Sequence, residues 1–315
     1  MRRFVQVLIL LLLSCPLFAQ KVRFMPQWTP QAQFAGYYVA LEKGFYADEG
    51  LDVEIVHLSA TTRKNALSHL KSGDVDITMA QPFQAMAVVD GGSDIVNVLQ
   101  TSQNSGLCCV SSKPVSDLQA LDGLRIGTWK SGFNEIARIA AEEYKISIEW
   151  VPYISGINLF VKHAVDAILT YSYNELIQLY YATGELNPDN ILRFADLGYN
   201  YPEDGLYVTG KYLKNNRDTV EKFCRASIKG WLYASAHREE ALDMVMKMVS
   251  QNNISTSRSL QKKMLDEVIR LQCDSQKGTQ TFSPISREVF DDMVSKARNC
   301  GVLMGEIQYD NIFRK

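Results

Sequence analysis

The chain has 315 residues, with 33 Lys and Arg against 35 Asp and Glu, so its formal net charge is −2. A balance this near neutrality is no footprint for nucleic acid. Its 46% apolar content is that of an ordinary globular chain, and its length suits two domains rather than one.

The first nineteen residues read as a secretory signal peptide. Arg2 and Arg3 charge the start, residues 4–13 are apolar, and Ala19 offers a small residue before Gln20. The apolar run is too short to span a bilayer. Cleavage after Ala19 is the expectation. The alternative is a lipoprotein box over 12–15, which would place a lipid on Cys15. Removal of this segment takes away two arginines and no acids, leaving four more acids than bases. Nothing further along resembles a membrane span.

In chain order, the mature sequence opens with a strand over 21–25, where Val22 and Phe24 alternate with polar neighbours. An aromatic-rich loop from Trp28 leads to a helix in which Phe34, Tyr37, Tyr38 and Leu41 recur at helical spacing, and Gly44 sits where that helix would stop. Val53 and Ile55 alternate again. A helix over 63–71, a strand over 75–80, a helix over 82–89 and a strand over 95–100 follow. A second series repeats this order: strand 124–127, loop 128–132, helix 133–144, strand 148–152, helix 157–163, strand 165–170, helix 174–183 and strand 191–196. Each series places a Val-Asp strand after its second helix, at Val75-Asp76 and Val165-Asp166. Strands alternating with helices imply parallel sheets.

From about residue 211 the pattern is helical only, over 217–235, 239–249, 257–271 and 287–299. The first lobe is the natural surface for this tail, so the chain must return from the second. Two similar segments, 106–110 and 205–209, can make the crossings. The expected division is 20–107 with 208–315 as lobe one and 108–207 as lobe two. Two α/β lobes joined by two strands form a hinge with a cleft that closes on a small ligand.

Five cysteines follow Cys15, and their spacing matches no zinc pattern. Cys108 and Cys109 read as strand residues. Cys273 and Cys300 are a candidate disulfide in an exported protein, or free thiols.

The opening words Trp28-Thr29-Pro30, Gly36-Tyr37-Tyr38-Val39-Ala40, Lys43-Gly44-Phe45-Tyr46 and Glu49-Gly50-Leu51-Asp52-Val53 resemble those of the periplasmic solute-binding proteins of ABC importers. The resemblance continues through Ser72-Gly73-Asp74-Val75-Asp76, residues 121–127 and Val165-Asp166-Ala167. Within that family the wording is most similar to the group that binds pyrimidine precursors of thiamine, whose relatives take alkanesulfonates, taurine, nitrate or riboflavin. The resemblance implies a type II periplasmic-binding-protein fold, α/β, with two lobes, a hinge of two crossover strands and a helical C-terminal tail. It also implies a monomeric periplasmic binding protein without cofactor or catalytic residues, whose partners are a pyrimidine-like small molecule and an ABC permease in the inner membrane.

In such a fold the ligand loops follow strand C-terminal ends. Here they are 25–34 and 80–84 in lobe one, and 128–134, 153–158 and 170–175 in lobe two. Their candidate ligand residues are Trp28, Gln33, Gln81, Gln84, Trp129, Ser131, Asn134, Tyr153, Asn158, Tyr171, Asn174 and Glu175, with Tyr37 from the helix behind. Aromatic faces suit a flat ring. Glu175 can accept from an amino group or pair with a protonated ring nitrogen. Lys130 is the only basic residue in these loops, which suits a neutral hydrogen-bonding ligand better than an anion. The bland alternative for Trp28 is a wedge against the sheet. Glu175 could equally be a favourable acid in a first helical turn.

The runner-up ligands are a taurine-like sulfonate and a riboflavin-like ring. A fungal branch of the same family makes the thiamine pyrimidine, using pyridoxal phosphate, iron, a sacrificial histidine and a cysteine-rich motif. Here only the pair Cys108-Cys109 stands, and His57, His69, His163 and His237 fall outside the expected cleft loops. A ligand sensor is the third alternative.

Overall fold

The computed structural model describes residues 19–58, 64–130, 132–154 and 156–314. The leader, Cys15, Ser131 and the expected helix start at Arg63 lie outside the described residues. Among the described residues, ten strands form two five-stranded sheets. The first contains β1 (Gln20–Met25), β2 (Leu51–Ile55), β3 (Ile77–Ala80), β4 (Ile95–Gln100) and β10 (Gly205–Thr209), in the order β2-β1-β3-β10-β4. The second contains β5 (Leu107–Ser111), β6 (Arg125–Trp129), β7 (Glu149–Tyr153), β8 (Ala167–Tyr171) and β9 (Ile191–Arg193), in the order β7-β6-β8-β5-β9.

The sheets are mixed, which corrects the expectation of parallel sheets. β1 runs parallel to β2 and β3, and β6 runs parallel to β7 and β8. The two crossing strands run against their neighbours and lie inside the sheets. The reason is geometric. Gly205, the first residue of β10, pairs with Ala80 and Gln100, the last residues of β3 and β4. Leu107, the first residue of β5, pairs with Tyr171, the last residue of β8. Each crossing enters its sheet at the edge where the parallel strands end, so it can only run backwards. The same edge faces the other sheet.

The first long helix, Ala35–Glu42, is fully buried along its first six residues. A helix apolar all round must be covered on every side. The tail helix Arg217–Ala236 supplies the outer cover, and its approach is very close. A Cβ on Gly36 would lie 2.3 Å from the indole of Trp231, and one on Gly230 would lie 2.1 Å from the carbonyl oxygen of Gly36. Trp231, Tyr37 and Phe24 then form an edge-on and tilted column, with centroids 5.8 and 4.7 Å apart. At Gly44 (φ 74°) the chain turns through the left-handed region into the short helix Phe45–Asp48.

The tail does not rest on lobe one alone. Helix Arg258–Leu271 packs against Glu175–Thr183, and helix Arg287–Asn299 packs against Glu135–Glu143, both in the second lobe. Tyr181 Oη and Ser259 Oγ lie 2.6 Å apart across the first of these contacts. Lys296 reaches the Tyr201 hydroxyl at 3.0 Å and lies over the ring of Tyr199. The sulfur of Cys273 donates to Ile269 O and that of Cys300 to Ile139 O, and both cysteines are free, so the candidate disulfide is not formed.

Overpacking a helix crossing costs about 1–3 kcal/mol. Gly36→Ala is expected to lower folding stability by at least that much, measured by urea unfolding, whereas Gly50→Ala pays only for its positive φ in open space. Equal losses at both sites would mean that the crossing tolerates a methyl group.

Candidate ligand-binding site

β6 and β8 end in aromatic residues at the sheet edge that faces lobe one: Trp129 and Tyr171. With Tyr173 they make a three-ring stack, Trp129 on Tyr171 at 5.0 Å and 30°, and Tyr171 on Tyr173 at 5.1 Å and 16°. Trp28 faces them from the first loop of lobe one and meets Phe133 edge-on at 5.9 Å. Between these rings lies a small cavity, about 330 Å3 of atom-free space including its mouth, lined also by Gln27, Gln31, Gln33, Asn174 and Glu175.

Glu175 is buried and opens the helix Glu175–Thr183. One oxygen accepts from the Trp129 indole N–H (3.2 Å) and the Asn174 amide (3.2 Å), and the other accepts from the Tyr171 backbone N–H (3.1 Å). Burial raises its pKa above the usual carboxylate range, and these donors oppose the rise. Gln33 is equally fixed. Its amide donates to Tyr173 Oη at 3.2 Å and to Asp204 Oδ2 at 3.0 Å, while its oxygen accepts from Gln31 at 2.7 Å.

Of the residues expected from sequence, Trp28, Gln33, Trp129, Tyr171, Asn174 and Glu175 meet on this cavity. Gln81 touches its wall, donating to Tyr171 Oη at 2.6 Å across the lobes. Tyr153 lies behind Trp129 with centroids 5.7 Å apart and donates its hydroxyl to Leu169 O. Gln84 lies beside Gly132 and Glu135. Asn134 precedes helix Glu135–Glu143, and Asn158 is exposed at the start of a one-turn helix; neither lines the cavity. Tyr37 is in the core of lobe one, away from the cavity, because its helix turns that face to Phe24 and Trp231. Ser131 is outside the described residues.

Sequence reasoning missed four features. Phe133 lines the cavity with φ 69°, an unfavourable conformation for an aromatic residue. Backbone strain of this kind collects at ligand clamps. Gln27 reads as loop approach, yet its side chain is buried. Glu203 and Asp204, which the sequence reading did not single out, are both buried where the chain crosses for the second time. Asp204 accepts from Gln27 Nε2 (2.7 Å) and Gln33 Nε2. Glu203 accepts from Ser105 Oγ (2.7 Å) and the Gly106 N–H (2.8 Å) on the first crossing. Burial lifts Asp204 to about 6. Burial, and then repulsion from Asp204, lift Glu203 to about 8. Behind the cavity His57 donates from Nδ1 to Trp28 O and pairs through Nε2 with Tyr38 Oη, and burial lowers its pKa to about 4.

A model of the family described as NMT1/THI5 like matches residues 31–241. Among curated proteins, the riboflavin-binding protein RibY of Chloroflexus aurantiacus is 24% identical over 265 residues, 79% of this chain and 72% of its own. The 4-amino-5-hydroxymethyl-2-methylpyrimidine phosphate synthase of Candida albicans is 25% identical over 240 residues, 70% of this chain and 69% of its own. The formylaminopyrimidine-binding protein of Halalkalibacterium halodurans is 23% identical over 260 residues, 78% and 76%. Among solved structures, the periplasmic aliphatic sulphonate binding protein SsuA of Escherichia coli superposes with a TM-score of 0.69 at 12% identity, covering 94% of this chain and 92% of that one. The last match shows the fold, a periplasmic-binding-protein fold.

A carboxyl that burial keeps protonated favours the folded state most below its ordinary pKa of about 4.5, and that advantage is lost as pH rises through about 8. Thermal stability is therefore expected to decline from pH 5 to pH 8.5, and Glu203→Gln to flatten the decline. An unchanged slope in the variant would remove Glu203 as its source.

Proposed function

Since the chain belongs to the NMT1/THI5-like family, we propose that it is the extracytoplasmic solute-binding component of an ABC importer and that it captures a thiamine-precursor pyrimidine between its lobes. The observation that carries the ligand is the cavity itself: a small space lined by Trp28, Trp129, Phe133, Tyr171 and Tyr173 with a buried carboxylate, Glu175, among its lining residues. A hydroxymethyl- or formylaminomethyl-aminopyrimidine presents two π faces and an amino donor, which match those walls and that acceptor. Glu175 is an acceptor whose protein donors are the Trp129 indole, the Asn174 amide and the Tyr171 N–H, and a ligand N–H would join that set. The formylaminopyrimidine in the name of the Halalkalibacterium relative supports this choice.

Cleft contacts from both lobes, such as Gln81 to Tyr171 and Gln33 to Tyr173, support capture by closure. We place the hinge at 101–106 and 199–204, between the sheets, rather than within β5 and β10, where limits at 108 and 207 would cut the strands. The closed body would dock on a permease, as a monomer, after export through the N-terminal leader.

A riboflavin-like ring is the second reading, favoured by the name of the Chloroflexus relative. The small cavity suits one ring better than three fused rings. Synthesis is a weaker reading despite the Candida relative. Cys108 and Cys109 are buried in β5, and burial pushes the Cys108 thiol up to about 12 and Cys109 higher still. Such thiols are poor nucleophiles and poor ligands.

A thermal-shift screen of the mature protein against hydroxymethyl-aminopyrimidine, its formylated analogue, riboflavin, taurine and nitrate tests the reading, since a ligand of the folded state raises its midpoint. The pyrimidines are expected to stabilise. A shift with taurine alone would overturn the assignment. Glu175→Gln is expected to weaken pyrimidine binding by roughly tenfold or more, the loss of a charge-assisted hydrogen bond, while circular dichroism of the free protein controls for folding.

A further inference from the structure

The cavity is unusual in its charge. Among the described residues none of those lining it is Lys, Arg or His. It nevertheless carries Glu175 on one edge, and Asp204 lies just behind Gln27 and Gln33. Both carboxylates are buried, and their protein partners are amides, an indole N–H and a backbone N–H. Glu203, the residue before Asp204, is a third buried acid but is held protonated by burial and adds no charge. Buried charges are ordinarily matched by an opposite charge. Nothing in the site's polar shell supplies one.

Two independent features point the same way. The first is Gln27. It is 6% exposed and lines the cavity, and its Oε1 has no hydrogen-bond partner. The amide's orientation is set by Asp204, because a carboxylate accepts and only Nε2 can donate to it. The free atom is therefore an acceptor, and a ligand that satisfies it must be a donor. The second is the aromatic enclosure. Trp28, Phe133 and the Trp129–Tyr171–Tyr173 stack surround the space with ring faces and edges. Ring faces carry negative potential and attract cations lying within about 6 Å.

We infer that the site takes its ligand as a cation: a flat, positively charged nitrogen heterocycle or amidinium whose N–H groups donate to Gln27 Oε1 and Glu175. Asp204 stabilises the charge through the Gln27 amide it holds. This deepens the pyrimidine reading and rests on the cavity being the ligand site, but it makes a separate demand. A neutral pyrimidine fills the slot and leaves the buried acids uncompensated. A positively charged one compensates them.

Matched pairs of probes test it on the mature protein by calorimetry at a single pH near 7.5. The first pair is benzamidinium, a flat cation, and benzamide, its neutral isostere. The second is hydroxymethyl-aminopyrimidine and its ring-N-methylated, permanently charged form. The charged member of each pair is expected to bind about tenfold tighter, the order of a desolvated cation–π contact. Asp204→Asn is expected to cut that preference to about threefold. Should this variant fail to fold, Gln27→Leu serves, with the same expected loss.

Equal binding within both pairs overturns the inference and leaves the pyrimidine reading standing. Cation preference in the benzamidinium pair without binding of either pyrimidine supports the inference and sinks the pyrimidine reading. Absence of binding by all four probes at millimolar concentration, or binding of taurine in their place, overturns both.

Discussion

Two consecutive carboxylates buried in the second crossing hold the cleft together. Glu203 faces back to the first crossing, where Ser105 and the Gly106 N–H bind it. Asp204 faces forward to the ligand loop, where Gln27 and Gln33 bind it. The Asp204 carbonyl also accepts from the N–H groups of Thr101 and Ser102 and from the Gln100 amide. Two residues thus tie both crossings to each other and to the floor of the cavity. Burying two acids side by side is unfavourable; donors on Asp204 and on one oxygen of Glu203 offset part of that cost. These bonds link the two crossing segments to each other at the proposed hinge, so a bend there would have to move both together.

The other structural constraint is the close crossing of the first helix with the tail. Gly36 and Gly230 let the two backbones approach, and Trp231 then fills the space beside Tyr37. That contact sets the height of the helix after the first loop, and so the position from which Trp28 and Gln33 project. A motif that reads as a family word, Gly-Tyr-Tyr-Val-Ala, is in physical terms a packing surface. Its tyrosines serve the core, and the residues just before it line the cavity.

The β-α-β order, the repeat of the series and the two crossings were legible in sequence, because alternation and helical spacing survive in residues such as Val22, Phe24, Val53 and Ile55. The direction of the crossing strands was not, since 106–110 and 205–209 carry no mark of polarity. Half the candidate site was legible for a simple reason: Trp129 and Tyr171 end strands, and strand ends face the cleft. Glu175 follows four residues later. Tyr37 looked like a site residue because it is aromatic and near the loop, but helical phase turns it inward. Glu203 and Asp204 were invisible because acids before a glycine usually mark an exposed turn. Only the return of the chain across the hinge buries them. Phe133 was not legible because it stands first in the expected helix 133–144, whereas in the structure it takes a strained conformation before the helix begins.

The tail helices touch both lobes, with Arg258–Leu271 on Glu175–Thr183 and Arg287–Asn299 on Glu135–Glu143. A body built this way does not swing like a free jaw. For the lobes to part, packed helix surfaces must slide past one another, and contacts such as Tyr181 with Ser259 must exchange partners. Under the proposed closure, opening would be a shear along this helix seam. The helix that begins with Glu175 is itself one face of that seam. The tail is accordingly a gearing element, and a permease that gripped the tail could work the binding slot without touching it.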